Sequence, residues 1–135
     1  VLMMRFESDI VPYLQACANG KLEDCEAPAW NEKPAVTVIL ASKGYPGPYL
    51  KGVPIHGLDD IEYGPELQVF HAGTALREGQ VVTNGGRVLA VTALGDDLQQ
   101  ARERAYAAVE KIEFEGKVFR QDIGLAALEA VDNYQ

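Results

Sequence analysis

Four groups of residues have types and spacing that could do chemistry. In Asn84-Gly85-Gly86-Arg87 a glycine pair precedes a single arginine. Two glycines permit positive φ and let a ligand approach bare backbone. A guanidinium directly after them could grip a phosphate or carboxylate in bidentate fashion. Asn-Gly turns are common, so the same pattern also describes an ordinary hairpin followed by a surface arginine. In the loop at 42–49, Lys43, Tyr45 and Tyr49 stand among glycines and prolines. That loop could offer donors and a stacking face to a substrate, or form a rigid turn with Tyr45 packed down. His71 closes an apolar run with no paired carboxylate nearby, and reads as a satisfied, half-buried side chain rather than a ligand. Asp59, Asp60 and Glu62 fit neither a calcium loop nor one helix face, and read as a solvated surface.

The remaining inventory narrows the chemistry. Cys17 and Cys25 are the only cysteines, and His56 and His71 the only histidines. Neither pair has metal-type spacing, and no nucleophile–base pair is apparent, so no catalytic and no metal-ligating residue is expected. The cysteines read as free thiols, with a disulfide between them as the alternative. A biotinyl or lipoyl carrier needs a lysine on a hairpin tip, whereas the obvious tip here carries Asn84-Gly85-Gly86; Lys43, Lys51 and Lys117 lack that setting.

With 135 residues, 47% of them hydrophobic and 24% charged, the chain fits one globular domain with a real core. A net charge of −8, spread rather than blocked, argues against nucleic acid or an anionic membrane as partner. No apolar run approaches the roughly 20 residues of a membrane span, and the first residues lack the pattern of a signal peptide. An initial valine on an apolar stretch leads us to expect a piece of a longer protein.

These residues need elements to position them. Ser8-Asp9 can cap a helix to about Ala18, with Ile10, Val11, Leu14, Cys17 and Ala18 on one stripe and Asn19-Gly20 as its stop. Residues 21–34 read as a polar connector. The β-branched run at 35–42 predicts a buried strand, with further strands at 53–56 and 67–71. Residues 80–83 are expected to pair with 87–94 across the glycine turn. Asp96 opens the clearest helix, to about Ile112, with Leu98, Ala101, Ala105, Ala108, Val109 and Ile112 as its core stripe. Residues 114–119 read as extended and 123–131 as a short helix. The sum is an α+β domain, predominantly antiparallel.

Taken together, several segments occur in a recognisable order. They are Ala41-Ser42-Lys43-Gly44-Tyr45-Pro46, Lys51-Gly52, Phe70-His71-Ala72-Gly73-Thr74, the run from Thr83 through Asn84-Gly85-Gly86-Arg87 to Gly95, and Phe114-Glu115-Gly116. With these, essentially the whole chain resembles the C-terminal portion of the phosphoribosylamine–glycine ligase family, the glycinamide ribonucleotide synthetases. The resemblance implies that residues 1–20 are the last helix of an ATP-grasp domain, with Arg5-Phe6-Glu7-Ser8-Asp9 in the family's Arg-apolar-x-Ser-Asp pattern. It implies a connector at 21–34 and the C-terminal ligase domain at 35–135. That domain would be a small antiparallel β-rich barrel-sandwich, rudiment single-hybrid-like, with flanking helices.

The implied activity is the second step of purine biosynthesis in the cytoplasm. ATP, glycine and 5-phosphoribosylamine give glycinamide ribonucleotide, ADP and phosphate through a glycyl phosphate. ATP and Mg2+ (or Mn2+) belong to the full-length enzyme, whose acidic metal ligands lie upstream of Val1. This piece, separated from the other ATP-grasp domains, is expected to be inactive alone and to bind neither cofactor. By transfer from related enzymes, Gly86 and Arg87 would contact the ribose phosphate, with Gly85, Tyr45 and Lys43 as further substrate-binding candidates. The alternative is a stand-alone, non-catalytic binding module for a phosphorylated metabolite.

Overall fold

A computed structural model describes residues 1–132, so the last three residues of the expected 35–135 domain lie outside the described residues. A four-stranded antiparallel sheet organises the fold. Its strands are β1 (Ala35–Ser42), β2 (Leu67–His71), β5 (Arg87–Leu94) and β6 (Lys117–Val118), in the spatial order β2-β5-β1-β6. A separate hairpin pairs β3 (Thr74–Arg77) with β4 (Gln80–Thr83). Among the described residues the strands close no barrel.

Period-two burial along β1 explains the packing. Val36, Val38, Leu40 and Ser42 are buried while the residues between them are more exposed. Val36, Val38 and Leu40 stand opposite Ala93, Val91 and Leu89 of β5, which puts six apolar side chains on one face. Helix α3 (Leu98–Lys111) covers that face with Ala101, Ala105, Ala108 and Val109, followed by the buried Ile112. Small alanines let the helix lie close to the sheet. Its cap is Asp97, whose carboxylate accepts from the Gln100 amide at 2.7 Å, one residue later than the sequence suggests. On the opposite face Thr37 and Thr92 share a hydrogen bond of 2.8 Å.

The expected hairpin between 80–83 and 87–94 does not form. Six of the eight β5 residues are buried, so this strand needs neighbours on both edges, and β1 and β2 take them. The turn that β4 does use is Glu78-Gly79, with φ of 50° and 80°, as a two-residue primed hairpin requires. Residues 84–86 instead carry the chain from the small sheet into the large one.

At the N-terminus there are two helices: α1 (Leu2–Arg5) and α2 (Ile10–Ala18), the latter capped by Asp9 as expected. The polar connector is not free. Glu7 donates its amide to the Ala29 carbonyl at 3.0 Å and Asn31 donates to Arg5 at 2.7 Å. Phe6 meets Tyr13 and Trp30 edge-on, with ring centroids 5.7 and 5.0 Å apart. Both cysteines are free thiols. The final helix, α4, spans Leu125–Asp132. No helix among the described residues is long and apolar enough to cross a membrane.

Candidate functional site

The glycine turn lies where three segments cross. Gly73, just after β2, approaches Gly85 so closely that a Cβ on Gly73 would stand 2.8 Å from the Gly85 Cα and 2.4 Å from the Arg87 carbonyl oxygen. The crossing is stitched by the Asn84 amide donating to Gly73 O at 2.7 Å, and by the Ala72 and Gly73 amides donating to Val88 O at 3.0 and 2.9 Å. From the other side Ser42 donates its amide to Gly86 O at 2.8 Å and its hydroxyl to Gly85 O at 3.1 Å.

Neither Gly85 nor Gly86 adopts positive φ, so the expected conformational role falls away. Their lack of a side chain serves close approach instead. A Cβ on Gly86 would lie 2.0 Å from Cδ2 of Tyr45, whose ring rests on this glycine. Tyr45 is thus packed down and still 44% exposed. Tyr49 meets it edge-on at 6.2 Å between centroids.

Around this crossing opens a cleft of about 390 Å³, lined by Gly73, Asn84, Gly85, Gly86, Arg87 and Tyr45, with Ile39 and Ala72 as its apolar part. Arg87 is exposed, and its guanidinium makes no hydrogen bond or ion pair among the described residues. The amides of Gly85 and Gly86 likewise donate to no acceptor there. An unengaged guanidinium beside free amides on a glycine wall is suited to an anion. The structure therefore gathers Arg87, Gly86, Gly85 and Tyr45 around one cleft. It separates Lys43, which lines a different depression with Leu50, Glu115 and Gly116. Sequence reasoning placed Gly73 and Ser42 within candidate segments but gave neither a role, because those roles depend on segments that meet only in the fold.

A larger cleft of about 430 Å³ lies between residues 61–67 and α3, but its cations are engaged. Arg104 pairs with Glu66 at 2.9 Å and donates to the Leu94 carbonyl, and Lys111 donates to Asp60 O at 3.2 Å. Lys33 joins this network, reaching Glu66 at 2.5 Å and Asp96 at 2.8 Å. Its hydrogen bonds hold both carboxyls below their ordinary range, helped by the charge of Arg104. Hydrogen bonds to Asp96 and then Glu66 raise Lys33 in return.

His71 bonds Thr74 Oγ1 at 2.9 Å through Nδ1 and is exposed, so it is satisfied without being half-buried. No group of three or more His, Cys, Asp or Glu able to hold a metal occurs among the described residues.

Fold and site define a small α+β domain with a glycine-lined cleft that carries one unpaired arginine. Its family follows from comparison: the model of the phosphoribosylglycinamide synthetase C domain matches residues 35–126, and the chain belongs to that family. A phosphoribosylamine–glycine ligase from Phenylobacterium zucineum (strain HLK1) is 54% identical over 129 residues, covering 95% of this chain and 30% of that protein. The chloroplastic ligase of the same name from Arabidopsis thaliana is 52% identical, covering 95% of this chain and 24% of its own length. The crystal structure of phosphoribosylamine–glycine ligase from Thermotoga maritima superposes with a TM-score of 0.65 at 37% identity, over 83% of this chain and 27% of that one. The chain thus spans 30% or less of the length of these relatives.

Proposed function

We propose that this chain is the substrate-facing C-terminal part of an ATP-dependent, ADP-forming ligase that joins glycine to 5-phosphoribosylamine. The observation that carries the reading is the Arg87 cleft, set within a chain 54% identical to a protein named for that reaction. In such a ligase the glycine carboxylate takes the γ-phosphoryl group of ATP and ADP leaves. The amine then attacks the acyl carbon and phosphate leaves.

Arg87 and the Gly85–Gly86 amides hold the phosphate of phosphoribosylamine, with Tyr45 as a flat wall beside the ribose. A fixed cation and preset amides orient the amine toward the acyl phosphate, and a closed site keeps water from that intermediate. Lys43, facing its own depression, serves the substrate only if a neighbouring domain extends the cleft toward it.

ATP and Mg2+ (or Mn2+) supply phosphoryl activation and charge neutralisation in the whole enzyme. No group of acidic residues among the described residues fits a metal site, and no step through either group is assigned to this chain. We assign residues 1–20 to the preceding ATP-grasp domain, 21–34 to a connector and 35–135 to the C-terminal domain, and the remaining ATP-grasp domains to its partners. The two antiparallel sheets are compatible with a small barrel-sandwich, single-hybrid-like unit that stays open. The cytoplasm is the proposed compartment, although one relative is named as chloroplastic.

The test is Arg87→Ala in the intact ligase. The KM for phosphoribosylamine should rise at least about tenfold, the scale of losing hydrogen bonds to a charged group, while the KM for ATP stays put. An unchanged phosphoribosylamine constant overturns the assignment. If the protein stands alone and binds a phosphorylated metabolite without turnover, it is a stand-alone, non-catalytic binding module instead.

A further inference from the structure

The glycine wall is held in place by a residue that does not line the cleft. Ser42 ends β1 in a series whose inward positions are Val36, Val38 and Leu40, and it is itself only 6% exposed. A hydroxyl is costly to bury without a partner. This one donates to Gly85 O at 3.1 Å, and the amide of the same residue donates to Gly86 O at 2.8 Å.

A planar trans peptide carries its N–H opposite its C=O. Pinning the Gly85 and Gly86 carbonyls toward Ser42 therefore turns the N–H groups of Gly86 and Arg87 away from it. The Gly86 N–H has no acceptor among the described residues, and Gly86 and Arg87 both line the cleft. A glycine pair without such a clamp would be free to rotate these peptide planes.

We propose that Ser42 is a positioning residue for a phosphate-bearing ligand: its hydroxyl sets the Gly85–Gly86 peptide so that the Gly86 amide and the Arg87 guanidinium address the same anion. This rests on reading the Arg87 cleft as a phosphate site, and the experiment separates the two.

The chain is titrated with inorganic phosphate and with ribose 5-phosphate, and the amide resonances of Gly86 and Arg87 are followed by NMR. Wild type should bind ribose 5-phosphate with shifts at both amides, and Arg87→Ala should abolish them. Ser42→Ala should weaken binding about three- to tenfold, the scale of one hydrogen bond, and shrink the Gly86 shift. Ser42→Thr, which keeps the hydroxyl, should restore affinity to within about twofold of wild type. A merely structural serine would lower the melting temperature without moving the affinity. Ser42→Ala with wild-type affinity, beside an inactive Arg87→Ala, overturns the positioning role and leaves the site standing. No binding by wild type, or none lost in Arg87→Ala, overturns both. Should Ser42→Ala not fold, Ser42→Cys carries the test: weaker binding supports the proposal and unchanged binding overturns it.

Discussion

Arg87 stands opposite Ala41, although one residue earlier on β1 Leu40 stands opposite Leu89; Val88 between them has no partner on β1. This register shift is a bulge, and it decides where the arginine points. Strict alternation along β5 would place residue 87 in phase with Leu89, Val91 and Ala93, on the face covered by α3. The extra residue brings Arg87 into step with Ala41 instead, outside the core. A buried, unpaired guanidinium would be prohibitive; an exposed one can serve a ligand.

Because the Arg87 guanidinium has no partner among the described residues, removing it should leave stability within about 0.5 kcal/mol of wild type. Its effect should appear in ligand binding alone. Arg87→Lys keeps the charge but loses the planar fork, so affinity for ribose 5-phosphate should fall between wild type and Arg87→Ala. Parallel urea denaturation and phosphate titration of the two variants check this. A large stability loss in Arg87→Ala would point to a structural arginine.

Gly86→Ala should act through contact rather than backbone strain, since φ at this position is not left-handed. The new methyl would collide with the Tyr45 ring and force it aside. Overpacking of this kind destabilises by about 1–3 kcal/mol. Thermal melting together with the Tyr45 ring resonances reports both consequences. The double variant Gly86→Ala, Tyr45→Ala should recover part of the loss.

In the core, Leu89→Ala should cost about 2–5 kcal/mol, because Leu89 is fully buried between β1 and β2. It neighbours the bulge, so the amide shifts of Arg87 should move as well. Chemical denaturation and a heteronuclear NMR spectrum are sufficient. A loss under 1 kcal/mol would mean that the sheet repacks freely there.

The Lys33–Glu66–Asp96–Arg104 network gives stability a pH dependence of defined sign. Glu66 and Asp96 are held low, chiefly by hydrogen bonds from Lys33, so the unfolded chain binds protons more readily at these sites. Their contribution is present above about pH 4 and is lost as pH falls through the lowered native values. Lys33 is raised, so its contribution is present below about pH 10.5 and lost as pH climbs through the native value. Lys33→Met should lower the melting temperature modestly at pH 7, less at pH 2, and less again in 1 M salt, as for any exposed network. An equal shift at pH 7 and pH 2 would contradict this account.

Most of the secondary structure was legible from local pattern. The β-branched run at 35–42 announced β1, and the apolar stripe opened by Asp96 announced α3 to within a residue. The β4–β5 pairing was misread because Asn84-Gly85-Gly86 advertises a hairpin more loudly than Glu78-Gly79, which forms one. Choice of partner is settled by which edges remain free once β5 has been covered by β1 and β2. Of the five candidate site residues, Arg87, Gly86, Gly85 and Tyr45 share a cleft, while Lys43, two residues before Tyr45, turns to another depression.

The sequence by itself determined which residues are apolar and at what period, that an arginine follows two glycines, and which family's ordered motifs the chain carries. Those are properties of neighbours along the chain. The tertiary structure alone decided that Gly86 is a seat for Tyr45 rather than a left-handed turn, that Ser42 clamps the glycine carbonyls, and that a bulge at Val88 directs Arg87 away from the core. Each depends on segments far apart in sequence meeting at van der Waals or hydrogen-bond distance, and no local pattern encodes that meeting.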